Sequence, residues 1–398
     1  MRILLCNLTK MVNEHGGLAK ATCSFANEMT NRGHEVSLLY SDELSGNFFY
    51  HIDNAVGVYN VRENLSDGSM IKFPLHLKAL REALRVVGKR PARTINSLFD
   101  EKYLCGNVAF YLNLIKPDII ISFQPASSKL LLCDLKTEIP VISMSHGDPE
   151  DYFHIYPKKE IPTLKKSAIN QVLMPSFENH IKQHVPEAKT ITIGNAITQF
   201  DFVNDLSAQK KQYKIIFVGA LHKHRKRPHL LLQAFKQLAD KHKNWIVELY
   251  GAGNGKAYIK ELRMFIKHNG LQNRIFLKGE IRDVASALKC ADIFAFPSAA
   301  EGFGMALAEG MSAGLPSVGY KSCPGVNELI KDRETGYLCD DGVDAFAEAL
   351  DKLMSNGELR VKMGIAAKEE MKQYAPEKIW DKWENLIYEI VENFGKDV

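Results

Sequence analysis

The chain has 398 residues, 45% hydrophobic and 25% charged, with a formal net charge of +4. That length exceeds one ordinary hydrophobic core and suits two domains, and the composition excludes a disordered or fibrous protein. The slight positive balance leans toward an anionic partner without specifying one.

The opening MRILLCNLTK sets a lone arginine before a short apolar run with no cleavage-site pattern, which predicts a strand rather than a signal peptide. No stretch nears the ~20 apolar residues of a membrane span. Next, Leu18, Cys23, Phe25, Ala26 and Met29 approximate one helical face, Gly33 can stop that helix, and EVSLLY starts another strand. Such a β-α-β start favours a parallel sheet. FPLHLKALREALRVVGKRPAR at 73–93 predicts a helix. Leu77, Leu80, Leu84 and Val87 form its apolar face, and Lys78, Arg81, Arg85, Lys89, Arg90 and Arg93 crowd the remainder. It fits either the surface of a sheet or an anionic membrane surface. DIIISF at 118–123, PVISMS at 140–145 and QVLMPS at 171–176 are strands of the buried, parallel type. Each ends in polar or glycine-containing residues, at the edge where open α/β sheets hold ligands.

FVNDLSAQKKQYK at 202–214 is polar and irregular, as a linker is. The alternation then restarts. KIIFVGA, WIVELYGAG, RIFLKG, DIFAFPS and LPSVGY read as strands. RPHLLLQAFKQLADKHK, KAYIKELRMFIKHNG, DVASALKCA and GMALAEGMSAG read as the helices between them. The expected organisation is a Rossmann-like domain over 1–200, a second over 201–374, and a closing helix over 375–398. That helix starts at Pro376. Its stripe of Ile379, Trp383, Ile387, Tyr388 and Val391 fits packing on its own domain or back on the first. The seven cysteines are scattered, with no CxxC pair, so neither a disulfide framework nor a zinc site is suggested.

The stretch EGFGMALAE at 301–309 follows a strand end and enters a helix. Free amides at that helix start suit a phosphate, and Gly302 and Gly304 let a ligand approach the backbone. Glu301 on the loop and Glu309 on the helix would then grip the two ends of a sugar–phosphate–ribose ligand. A solvated loop acid and a helix-surface acid fit the same residues.

Glu-GFG-x4-Glu, followed by AGLPSV and by GVNELI with GYL, closely resembles the retaining glycosyltransferases of family 4, most closely over about 215–340. The resemblance implies the α/β GT-B fold: two Rossmann-like domains facing across a cleft, with a C-terminal helix crossing back. It places Glu301 by the donor sugar and Glu309 on the ribose hydroxyls, with Gly302, Phe303, Gly304 and Met305 forming the donor loop between them. HGG at 15–17 looks like the family's glycine-rich first loop, which sets Gly16 and Gly17 beside the donor diphosphate; a plain turn before a helix also fits. His146, closing VISMSH, matches a histidine close to the reacting sugar. Lys226 matches a phosphate-binding lysine. Here the chain departs from the pattern: Ala220, after Gly219, stands where an arginine is expected, and Arg225 of HKHRKR is the candidate replacement. GAG, with Gly251 and Gly253, resembles the turn lining the nucleotide. Gly279, Glu280 and Ile281 match the region beside the base, with Arg282 reaching the phosphates or ribose. Asn195 resembles a motif residue before the linker.

The expected activity is transfer of a hexose or N-acetylhexosamine, with retention, from a nucleotide sugar to a hydroxyl of a glycan or lipid-linked glycan. A UDP-sugar is the first choice of donor. Lys226, Arg225 and the amides of Gly302–Gly304 would stabilise the departing diphosphate. No DxD motif is evident and Asp340-Asp341 reads as a surface turn, so no essential metal or other cofactor is expected. Such an enzyme would serve polysaccharide or lipopolysaccharide biosynthesis in the cytoplasm, peripherally on the inner membrane through 73–93. An epimerase or hydrolase of nucleotide sugars, or a noncatalytic carbohydrate-binding partner, shares the fold. A dehydrogenase is disfavoured because the first loop, NLTKMVNEHGG, lacks GxGxxG. Nucleic-acid binding is disfavoured because the basic residues are not interleaved with aromatics.

Overall fold

The computed structural model describes residues 1–202, 204–253 and 255–394. Val203 of the expected linker and residues 395–398 of the expected closing segment lie outside the described residues. The chain divides into two compact units, Met1–Gly194 with Trp380–Val398, and Asn195–Ile379.

The first unit is built on β1 (Arg2–Asn7), β2 (Glu35–Tyr40), β3 (Gly57–Asn60), β4 (Ile119–Ser122), β5 (Val141–Met144), β6 (Ile169–Val172) and β7 (Thr190–Thr192). They pair in parallel in the order β3-β2-β1-β4-β5-β6-β7. IIIS and VISM are buried at every position, as strands covered on both faces must be. β3 and β7 were not anticipated. They are short outermost strands, GVYN and TIT, without an apolar run. Helix α1 (Gly17–Asn31) buries Ala19, Thr22, Cys23, Phe25, Ala26 and Met29. Gly33 then turns the chain with φ +86°.

The single helix expected over 73–93 is two helices, α2 (Leu75–Val87) and α3 (Lys89–Phe99), with Gly88 extended between them. Pro91 is the physical reason. In a continuous helix its ring would meet the carbonyl of Val87, whereas in the first turn of a new helix its missing N–H costs nothing. Of the expected face, Leu77 and Leu84 are half-buried, while Leu80 and Val87 stand 46% and 76% exposed.

The C-terminal helix Pro376–Asn393 joins the first unit from Trp380 onward. Trp380 and Trp383 meet the ring of Phe25 edge-on at 5.7 and 5.0 Å. Glu384 binds Arg32 at 2.8 Å and His34 at 3.0 Å. Its buried stripe includes Trp380 and Leu386 as well as Trp383 and Ile387, whereas Tyr388 is 44% exposed.

In the second unit β8 (Tyr213–Val218), β9 (Trp245–Tyr250), β10 (Ile275–Gly279), β11 (Ile293–Phe296), β12 (Ser317–Tyr320) and β13 (Gly336–Cys339) form a parallel sheet ordered β10-β9-β8-β11-β12-β13. Trp245, Phe217, Phe235, Phe294, Phe296 and Phe346 fill its core. In both sheets the order reverses beside the unit's first strand, between β1 and β4 and between β8 and β11. Ligands of open α/β sheets bind outside the carboxyl ends at such points.

Candidate functional site

The second unit brings several of the expected residues to that reversal point. The turn after β8 and the loop after β11 are bound together by three consecutive residues. The Arg225 carbonyl accepts from Ala299 N–H at 2.8 Å. Lys226 Nζ donates to Glu301 Oε1 at 2.5 Å and lies 4.8 Å from the Phe296 ring centre. Arg227 donates to the Pro297 and Ser298 carbonyls, both at 2.9 Å, with its guanidinium over Tyr320. His222 Nδ1 shapes the turn by accepting from the His224 and Arg225 amides.

Glu301 is 7% exposed. Its N–H donates to Pro324 O at 3.2 Å, and Gly325, at φ +79°, is bare where a Cβ would stand 3.1 Å from Glu301 O. The loop after β12 therefore fixes the backbone from which the carboxylate projects. Gly304 takes φ +85° and opens the helix Met305–Ser312, on which Glu309 stands half-buried. Phe303 is 3% exposed and its ring meets Tyr374 edge-on at 5.0 Å, so its side chain belongs to the core and only its main chain to the loop.

Gly219 and Gly251 follow β8 and β9 with φ +152° and +147°. A Cβ on Gly251 would stand 2.0 Å from the Gly219 oxygen, so the two strand ends touch backbone to backbone. Gly251 N–H donates to Gly279 O at 2.8 Å, carrying the contact to β10. A Cβ on Gly253 would meet Ile259 at 2.4 Å. Beyond β10, Ile281 is half-buried and Arg282 exposed. Arg225 is exposed too, and its printed bond is through the main chain. The guanidinium that grips the β11 loop is that of Arg227, which the sequence alone did not single out. Its signal was the dipeptide RP: Arg227 is the residue before a helix-starting proline, held at φ +49°.

In the first unit the carboxyl ends of β1, β4 and β5 are neighbours. Gly16 caps α1 and Gly17 begins it. Neither has positive φ, so no tight turn demands glycine there. What glycine provides is space: a Cβ on Gly17 would meet nothing within 4 Å, and one on Gly16 only the Glu14 carboxylate. Asp42 Oδ2 holds this loop by accepting from Met11 and Val12 N–H at 3.1 and 3.0 Å.

His146, beyond β5, stacks on Phe123 at 5.4 Å with the rings 7° from parallel. Its Nε2 is buried with no hydrogen-bond partner among the described residues. Burial disfavours the charged ring and lowers its pKa from 6.5 to about 4. The imidazole is thus neutral near pH 7, able to donate or accept one hydrogen bond at that nitrogen. Because the folded value lies below the unfolded one, the neutral ring stabilises fully above pH 6.5, and that contribution is lost as the pH falls toward 4. An NMR titration of the ring should give a midpoint near 4, and His146→Gln should flatten the stability profile over that window. A midpoint at 6.5 would show a solvated ring.

Residues 199–370 match the family model described as Glycosyl transferases group 1. The N-acetyl-alpha-D-glucosaminyl L-malate synthase of Bacillus anthracis is 23% identical over 94% of this chain and 94% of its own. A Campylobacter jejuni alpha-1,4-N-acetyl-D-galactosaminyltransferase, named for a PP-undecaprenol-linked glycan, is 24% identical over 94% of this chain and 96% of its own. Among solved structures, S. aureus TarM in complex with UDP superposes with a TM-score of 0.73 at 17% identity, over 97% of this chain and 99% of that one. With its two Rossmann-like sheets and with the residues of its second sheet's reversal point inside the matched region, the chain is a glycosyltransferase of the GT-B fold whose residues 199–370 match the glycosyl transferases of group 1.

Proposed function

We propose that the chain transfers a hexose or N-acetylhexosamine, with retention, from a UDP-sugar to a hydroxyl of a glycan or lipid-linked glycan. The observation that carries this reading is the Lys226–Glu301 pair at the reversal point of the second sheet. The pair sets a fixed cation beside a carboxylate, next to the bare main chain of Gly302 and Gly304. A diphosphate against Lys226 and these amides places its sugar hydroxyls within reach of Glu301, and Glu309 takes the ribose hydroxyls. The UDP in the S. aureus TarM structure and the lipid-linked glycan in the Campylobacter jejuni name support donor and acceptor class.

In the reaction the acceptor oxygen bonds to the anomeric carbon while the bond from that carbon to the phosphate oxygen breaks. The acceptor proton passes to the departing phosphate oxygen, which leaves on the same face. Negative charge grows on the diphosphate where Lys226 and the amides already stand, which is worth more than a charge that must be reorganised. Since these groups supply the counter-charge, turnover is expected to persist in chelator. Neutral His146, a half-buried ring just beyond β5, acts by orientation.

The test incubates purified protein with UDP- and GDP-sugars, with and without a saccharide acceptor, in buffer and in chelator. It measures nucleotide release and reads the product anomer by NMR. Acceptor-dependent release from a UDP-sugar with the donor's anomeric configuration is the expected result. Acceptor-independent release would make the protein a hydrolase or epimerase, an inverted product would overturn retention, and silence with every donor would leave a binding protein.

A further inference from the structure

Helix α2 is 13 residues long and buries none of them. At about 100° per residue its side chains sort into three sectors. Leu77, Arg81 and Leu84 point toward α3 and are half-buried; Arg81 reaches Asn96 at 3.3 Å and lies over the Phe73 ring. Lys78, Glu82 and Arg85 form one charged edge, with Glu82 and Arg85 paired at 2.7 Å. The remaining sector, roughly 140° wide by the same geometry, holds Leu75, His76, Ala79, Leu80, Ala83, Val86 and Val87. It contains no charged residue, and Leu75, Leu80, Val86 and Val87 are 83%, 46%, 91% and 76% exposed. The helix has about twice the apolar face that its packing on α3 uses. Below it α3 is anchored to the body of the unit. Arg90 donates to the Phe153 and Tyr156 carbonyls, and the Arg93 guanidinium covers the Tyr156 ring.

What covers an uncharged sector of this kind is told by its surroundings. Between residues 72 and 90 there are six basic residues and one acidic. Lys72, Lys78 and Lys89 have no carboxylate partner among the described residues, and all three are exposed. An apolar strip edged by unneutralised lysines matches acyl chains beneath anionic headgroups. It matches a second copy of this chain poorly, because the same cations would face each other. No described helix is long and apolar enough to cross a membrane.

We propose that the α2 face seats the protein on an anionic lipid surface, with Leu75, Val86 and Val87 entering the headgroup boundary and Lys72, Lys78 and Lys89 against the lipid phosphates. This rests on the reading of a lipid-linked acceptor, whose glycan such seating brings to the enzyme. An interfacial helix gains from both its apolar area and its charge, so removing either weakens binding.

The experiment sediments the full chain with vesicles of phosphatidylcholine alone or with phosphatidylglycerol. The comparison includes Val86→Asp/Val87→Asp and Lys78→Glu/Lys89→Glu, circular dichroism of each, and transfer to a lipid-free saccharide acceptor. Expected is salt-sensitive binding to the anionic vesicles only. Each double variant should weaken it at least about tenfold with unchanged circular dichroism and unchanged transfer to the lipid-free acceptor. Binding equal on both vesicles, binding unaffected by either variant, or a dimer that Val86→Asp/Val87→Asp dissociates while vesicle binding persists would overturn the proposal. Vesicle binding needs no turnover, so failure of the transfer assay alone strikes the proposed reaction and not this surface.

Discussion

Glu301→Ala should lower kcat for sugar transfer by about a hundred- to a thousand-fold, and Lys226→Ala by a similar factor. The two side chains meet at 2.5 Å and are 7% and 19% exposed. Each therefore fixes the other's position before a donor arrives, and each deletion removes one substrate contact and loosens the second. For that reason the losses should not multiply. In the double variant, activity should fall little further than in the worse single one, as with groups that act as a unit. The check is a double-mutant cycle on kcat and KM, with melting curves to separate catalysis from stability. Glu301→Gln completes the set by keeping the shape and one acceptor oxygen while losing the charge, and it should fall between wild type and alanine. Fully multiplicative losses would show two groups working independently, and normal turnover in both singles would end the assignment.

Gly251→Ala should destabilise the second unit by about 2–4 kcal/mol. The added methyl would lie 2.0 Å from the Gly219 oxygen, a main-chain atom held on its own strand end and unable to swing aside. The φ of +147° adds backbone strain for any L side chain. Gly253→Ala is the informative comparison. Its nominal clash at 2.4 Å is with the Ile259 side chain, which can rotate, so its cost should be clearly smaller. Gly17→Ala, with nothing within 4 Å, should leave stability unchanged. Urea unfolding of the three variants orders them, and equal midpoints would mean that the β8 and β9 ends separate freely.

Much of this molecule was legible because parallel strands buried on both faces announce themselves. IIIS, VISM and IFAF are short, mostly apolar strands buried at every position, and the residues that follow them can be assigned to the ligand-bearing edge. Where burial does not act, the signal fades, and β3 and β7 were missed for that reason. The helical period of 73–93 ran unbroken across Gly88 although Pro91 carried the contrary information, since periodicity reports faces and not hydrogen bonds. The candidate site was legible in part. Glu301 and Lys226 were marked by their motifs, but their ion pair spans 75 positions and depends on β8 and β11 being neighbours, which no local pattern records. Arg227 was missed for a related reason. Its task is to bind the carbonyls of Pro297 and Ser298, and carbonyls have no sequence signature.

The return of the last helix has a consequence for biosynthesis. Asn195–Ile379 is one uninterrupted segment and can close its own core as soon as it leaves the ribosome. The segment made earliest cannot, because Phe25 waits for Trp380 and Trp383, and Arg32 for Glu384. The first half of the protein to be synthesised is thus the last to be finished, and a chain released some twenty residues early would carry a completed partner beside an open, aggregation-prone hydrophobic slot.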